Sequence, residues 1–276
     1  MRDRSLILCC GLEPPAVFAQ GSLVLLFKSI LEIDKESVPA DDKRKMPRYA
    51  LGDNFAFKTK LTLFSSGAKI NDDKGKDWSV TPVNLSVTGA SVQLSLAAVA
   101  FQKEKCQLKF GHGEYLLEIP ATIAHFRCCS QYSLCGIVFN FPTPELQQAY
   151  LQLLEPVIIG NSLAPIEAVP DTSGSHVEQF AGINTATTLS VWRDAPEGQI
   201  TGFDFRMRHY GVRWSDGAAE LDVYGLGEPD ASGNQEAVAL TETQHEEVQW
   251  LFCLAVPNLA KVVPLDIRRF LAGLVA

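Results

Sequence analysis

The sequence has no C-x-x-C pair, no apolar run long enough to cross a membrane and no excess of positive charge. Its 7 cysteines are odd in number and include the adjacent pairs Cys9-Cys10 and Cys128-Cys129, a pattern that excludes a disulfide framework. The run Ser5 to Gly11 follows Arg2 and Arg4 as a signal peptide would, but Glu13, Pro14 and Pro15 break it at about 7 residues, against the roughly 18 of a membrane span. No transmembrane segment is expected, and the chain reads as cytoplasmic. Lys and Arg number 24 against 32 Asp and Glu, a net charge of −8 that is opposite in sign to a dedicated DNA or RNA binder. Also absent are a nucleophile elbow, a P-loop, an H-E-x-x-H and a paired-carboxylate signature, and Gly111-x-Gly113 lacks the third glycine of a dinucleotide fold. These absences point away from an enzyme.

What is present suits a protein with a substantial buried core: 276 residues, 46% hydrophobic and 9% aromatic, enough for one large domain or two ordinary ones. Charge is unevenly placed. The acidic excess lies between Asp171 and Glu247, while Lys43, Arg44, Lys45 and Arg48 form a basic knot. A local basic site in an acidic protein suits a small anionic ligand. His125, Cys128, Cys129 and Cys135 are ligand-type residues, but they lack the two spaced pairs of a structural zinc site, so small buried hydrophobes are the better reading of these cysteines. No metal or cofactor is expected.

Apolar residues then alternate along several short stretches. Phe55, Phe57, Leu61 and Leu63 are followed by Val92, Leu94 and Leu96, by Cys106, Leu108 and Phe110, by Tyr115 to Ile123, and by Cys135, Ile137 and Phe139. This period of two, with turn signals between the runs, predicts a small antiparallel barrel. Leu146, Tyr150, Leu153 and Leu154 repeat at helical spacing, which predicts a helix that closes the barrel and ends at Pro156. Residues 160–175 are Pro-, Ser-, Ala- and Gly-rich without period and read as linker. Downstream, strands are expected near Thr187–Trp192, Ile200–Arg208, Gly211–Trp214 and Glu220–Tyr224. Thr241 and Gln244 form a possible capping box before a helix with Val248, Leu251, Phe252 and Ala255 on its buried stripe, and Pro264 opens a second helix.

The expected fold is therefore mainly β with α: a barrel with a closing helix, then a second α+β domain. The expected boundaries are a leader at 1–42, partly disordered or an amphipathic helix, a barrel domain at 43–156, a linker at 157–180 and an acidic domain at 181–276.

Two motifs frame the start of the barrel. Arg44-x-x-x-Arg48 stands just before its first strand, and Asn84-x-Ser86-x-x-Gly89 lies between two early strands. Each alone is weak: a solvated basic loop and an ordinary turn account for them. Together with the later Gly136-x-x-Phe139 strand, their order resembles the PilZ domain family over about Arg44 to Glu155. That resemblance implies a PilZ-type barrel and a bacterial receptor for cyclic di-GMP, with Arg44, Arg48, Asn84, Ser86 and Gly89 as binding positions and an output in motility, surface polysaccharide or biofilm control.

The ligand's chemistry gives an independent reason for these residue types. Cyclic di-GMP carries two phosphates and two guanines, and arginine can fork onto phosphate oxygens, read guanine O6 and N7 or lie flat over a base. Pro47 favours an extended arm over a helix. Asn84 and Ser86 supply polar groups for a guanine edge, and Gly89 permits a positive φ or a close approach. Lys43 is a possible auxiliary that steers phosphate. A protein partner is expected to receive the signal. The competing reading is an adaptor, insensitive to nucleotide, whose acidic C-terminal domain docks a protein partner.

Overall fold

A computed structural model of the chain describes residues 47–52, 55–64, 75–113, 115–167, 176–182, 186–228 and 235–275. They divide into two compact units, one up to Glu155 and one from Pro156. The first unit holds β1 (Tyr49–Ala50), β2 (Lys58–Leu63), β3 (Lys76–Ser86), β4 (Gly89–Leu94), β5 (Lys105–His112), β6 (Tyr115–Cys128) and β7 (Ser133–Phe139). Every pairing is antiparallel, in the order β1-β3-β2-β5-β6-β7-β4, and the additional β3–β4 pairing closes six of the strands into a barrel.

The alternation in the sequence explains the closure. Leu61, Leu85, Val92, Leu108, Ile119, Ile123, Cys135 and Ile137 are all buried at every-other-residue positions, and in β2 to β5 the residues flanking them are mostly polar or charged. Cys106 and Cys135 lie in this interior, where burial pushes both thiols up to about 12.

Helix α1 (Pro144–Asn161) supplies the predicted plug. The Tyr150 side chain is 0% exposed, with its ring against Phe110, Phe139 and Phe141. The helix does not stop at Pro156. It runs five residues further, to Asn161, although a proline inside a helix costs about 3 kcal/mol. Val157, Ile158 and Ile159 follow the proline and are fully buried, each contributing roughly 1.5–3 kcal/mol, so their burial outweighs the lost backbone bond.

The second unit contains β8 (Leu163–Ile166), β9 (His176–Gly182), β10 (Thr187–Arg193), β11 (Ile200–Met207), β12 (Tyr210–Ser215), β13 (Asp222–Leu226) and β14 (Ala237–Val238), followed by α2 (Glu242–Ala255) and α3 (Leu265–Val275). The strands form one seven-stranded meander, each paired with its sequence neighbours. Its apolar face, with Leu189, Val191, Phe203, Phe205 and Val212, packs with Val248 and Phe252 of α2 and Ile267 and Leu271 of α3 in one core. The capping box is present: Thr241 Oγ1 accepts from the Gln244 amide, and Gln244 Oε1 accepts from the Thr241 amide. Arg193, 4% exposed, donates to Glu178, to Asp266 at the start of α3 and to the Gly198 carbonyl, so the buried cation is fully paired.

Part of the stretch expected as linker is sheet: β8 pairs with β9 in the register Leu163↔Gly182 to Ile166↔Gln179. Pro165 hides this strand from a pattern search, and it is tolerated because β8 is at the sheet edge, where one side of the strand needs no ladder bond.

Two predictions follow from the packing. A Cβ on Gly160 would lie 2.6 Å from the Ala255 carbonyl oxygen and 2.7 Å from that of Asn258. Alanine would gain up to about 1 kcal/mol of helix propensity, but these backbone oxygens cannot rotate away, and overpacking costs about 1–3 kcal/mol. Gly160→Ala should therefore lower the urea midpoint of unfolding. Iodoacetamide applied to the native protein at pH 8 should alkylate Cys128 at the end of β6 and Cys129 just after it, and reach Cys106 and Cys135 only after denaturation, as read by peptide mass mapping.

Candidate ligand-binding corner

The β3–β4 hairpin organises the candidate site. Ser86 and Gly89 are its closing pair, joined across Val87 and Thr88, and the Ser86 hydroxyl donates to the Gly89 carbonyl at 3.0 Å. The serine of the motif thus braces the turn, although its oxygen keeps a lone pair to accept with. Gly89 has no positive φ; only Gly113 and Gly217 do among the described glycines. Its requirement is close approach, because a Cβ would stand 2.2 Å from the Ile137 carbonyl oxygen of β7. Of the two reasons for glycine raised by the sequence, the second holds.

Tyr150 reaches the same turn. Its hydroxyl donates to the Ser86 carbonyl at 2.7 Å, and burial holds its phenol well above the ordinary value, so it acts as a neutral donor. The hairpin is thereby tied to α1.

The arm lies beside this hairpin. Tyr49 pairs with Leu85 and Ala50 with Asn84, and Leu51 donates to the Val83 carbonyl at 3.2 Å. Arg48 is exposed at the start of this pairing, and its Nη1 donates to Ser91 Oγ at 3.0 Å. Arg44 and Lys43 lie outside the described residues.

Two β-bulges set which residues face outward here. The β3–β4 register shifts between Pro82 and Asn84, so Val83 is the extra residue; the β6–β7 register shifts between Ile123 and His125, with Ala124 extra. Without these insertions Val83 and Ala124 would occupy the partner positions. With them, Asn84, Ser91, Gly136 and His125 are successive Cα partners across β3, β4, β7 and β6. The neighbours Leu85, Ala90, Cys135 and Ile137 are buried in the barrel, so this row is on its outer face. Pro82 is accommodated at the first bulge, where a missing N–H does least harm.

The row has distinct chemistry along its length. Asn84 Oδ1 is buried and has no hydrogen-bond partner among the described residues, a position that costs about 1–3 kcal/mol unless a donor arrives. Ser91, 4% exposed, holds the Arg48 guanidinium. Gly136 is covered by the imidazole of His125: a Cβ there would fall 1.9 Å from Cε1. A buried acceptor, a fixed cation and an exposed ring therefore share one strip, an arrangement able to hold an anion that also carries N–H donors.

The structure brings Arg48, Asn84, Ser86 and Gly89 together. Sequence reasoning missed Ser91 and the packing of His125 on Gly136. Ser91 had a signal, since it stands two residues after Gly89 and so shares its strand face. His125 had none, because the bulge that aims it leaves no local pattern. The cysteines near His125 are dispersed, Cys135 facing the barrel interior and Cys128 exposed, and the described residues contain no group of three or more His, Cys, Asp or Glu placed to hold a metal ion. No helix among the described residues is long and apolar enough to cross a membrane.

No protein-family model matches this sequence, and no curated protein matches it either.

The role of Gly89 is open to direct test. Gly89→Ala should destabilise the barrel by about 1–3 kcal/mol, because the Ile137 carbonyl belongs to a sheet backbone with little freedom to move. The check is the unfolding midpoint in guanidinium at unchanged slope; a midpoint equal to wild type would show that β7 can give way.

Proposed function

We propose that this chain is a cyclic di-GMP receptor of the PilZ type, with Arg44, Arg48, Asn84, Ser86 and Gly89 as its binding positions. One observation carries the reading. Arg48 and the Asn84-x-Ser86-x-x-Gly89 hairpin are separated by a whole strand and loop in sequence, yet β1 pairs with β3 beside Asn84 and Arg48 bonds to Ser91, the cross-strand partner of Asn84.

The chemistry proceeds from there. Arg48 exchanges its neutral serine partner for a phosphate of the nucleotide, so that both members of the bond then carry charge. Asn84 Oδ1 gains the donor it lacks from a guanine N–H. Arg44, four residues before Arg48 on the same arm, supplies a second guanidinium for phosphate or base. Binding changes the set of bonds at a turn whose Ser86 carbonyl is held by Tyr150, and so acts on the helix that carries Tyr150. The output is a changed domain arrangement or partner surface, which requires that ligand bind one state better than the other.

Calorimetric titration of the full chain with cyclic di-GMP tests this. Binding is expected, and Arg44→Ala and Arg48→Ala should each weaken it by about 1.5–3 kcal/mol, roughly 10- to 150-fold in Kd. No heat and no rise in melting temperature at high nucleotide would remove the proposal.

A further inference from the structure

The loop 95–104 between β4 and β5 reverses the usual placement of side chains. Ala98 and Ala100 are turned inward, 1% and 6% exposed, while the larger Val99 and Phe101 are turned outward at 62% and 67%, with Leu96 at 49%. Burial of apolar area alone would put the large chains inside and alanine outside. Backbone bonds hold the inversion in place. The Ala98 amide donates to the Ser95 carbonyl at 3.0 Å and the Glu104 amide to the Phe101 carbonyl at 3.1 Å. The loop is also fastened to β6: the Lys103 amide donates to the Ile123 carbonyl at 2.7 Å, and the Glu104 carbonyl accepts from the Ile123 amide at 2.9 Å. Lys103 stands between these bonds at a φ of 70°, a left-handed conformation uncommon for a residue with a Cβ. An ordered loop therefore presents three large apolar side chains to its surroundings, and its bonds keep them from collapsing inward.

We propose that this loop is a membrane-insertion tip that seats Leu96, Val99 and Phe101 among the headgroups and upper acyl chains of an anionic lipid bilayer. Charge complementarity selects this occupant. Lys103 and Lys105 follow the apolar tip, both exposed and with no ion-pair partner among the described residues. The acid between them, Glu104, is turned back onto the loop, where its Oε2 accepts from the Phe101 amide at 2.9 Å. A negatively charged bilayer surface favours this combination, because apolar area enters the interface while each lysine near the headgroups adds attraction. Lys and Arg outnumber Asp and Glu between 43 and 155, and the acidic excess of the chain lies at 171–247. Exposed charges are screened over about 8 Å at physiological salt, so the sign next to the tip decides. A protein partner fits less well, since a stable interface takes about 20–30 residues a side, whereas a fluid bilayer deforms around a few protruding chains. The loop contains none of Arg48, Asn84, Ser86 and Gly89, so this attachment is independent of the nucleotide reading.

The test is flotation of the full-length chain, without nucleotide, on vesicles of phosphatidylcholine alone and of three parts phosphatidylcholine to one part phosphatidylglycerol. The wild-type chain should float with the anionic vesicles. Phe101→Ser should weaken that partition about 5- to 20-fold at an unchanged melting temperature, because the side chain it removes already stands in solvent. Lys103→Gln combined with Lys105→Gln should weaken it about 10-fold on the anionic vesicles and leave partition onto the neutral ones unaltered. With 4-fluorophenylalanine at position 101, the fluorine resonance should keep its solvent-exposed shift at every protein concentration without vesicles and broaden when the anionic vesicles are added. A wild-type chain that does not float with the anionic vesicles overturns the proposal, and so does flotation that Phe101→Ser leaves within twofold. A buried fluorine in the absence of vesicles would show that a protein surface, of this chain or of a second copy, already covers the tip, and would overturn it as well.

Discussion

Strand β3 is the element on which the rest of the first unit depends, because it pairs along both of its edges. One edge takes β2 over Lys76–Val80 and β1 over Asn84–Leu85; the other takes β4 from Thr81 to Ser86. The β4 pairing closes the barrel, and the β1 pairing brings the arginine arm to the hairpin. One strand thus links core closure to site assembly. A single shift of its register would expose Leu85 and turn Asn84 into the barrel, so burial of the apolar set enforces the geometry of the polar one.

Helix α1 adds a second constraint. Tyr150 fills the barrel end with an aromatic ring while its hydroxyl satisfies a backbone carbonyl of the hairpin turn. Apolar packing and polar bonding by one side chain therefore fix the position of Ser86. Glycine at 89 and glycine at 136 act in concert with this: one admits the carbonyl of β7 and the other admits the imidazole of His125. Both are close-approach positions, and neither is a left-handed turn.

Much of the architecture is legible in the residues alone. The period-two alternation from Leu61 to Phe139, the helical spacing of Tyr150, Leu153 and Leu154, and the Thr241/Gln244 capping box each specify a local structure that the fold contains. Hidden from that reading are β8, where Pro165 interrupts the pattern, and the continuation of α1 through Pro156. Both reverse a local preference by means of partners remote in sequence: the β9 ladder in one case and burial of Val157 to Ile159 in the other.

For the candidate site the division is similar. The sequence by itself determined that Asn84, Ser86 and Gly89 stand at a turn between two early strands; the structure carries those strands further, so that Asn84 and Ser86 belong to β3, Gly89 begins β4, and Val87 and Thr88 alone make the turn. Only the tertiary structure decided that Arg48 meets Ser91, and that Asn84, Ser91, Gly136 and His125 form one row. The reason is physical: a bulge is fixed by where the neighbouring strand's backbone bonds fall, and that information resides in the pairing of distant segments.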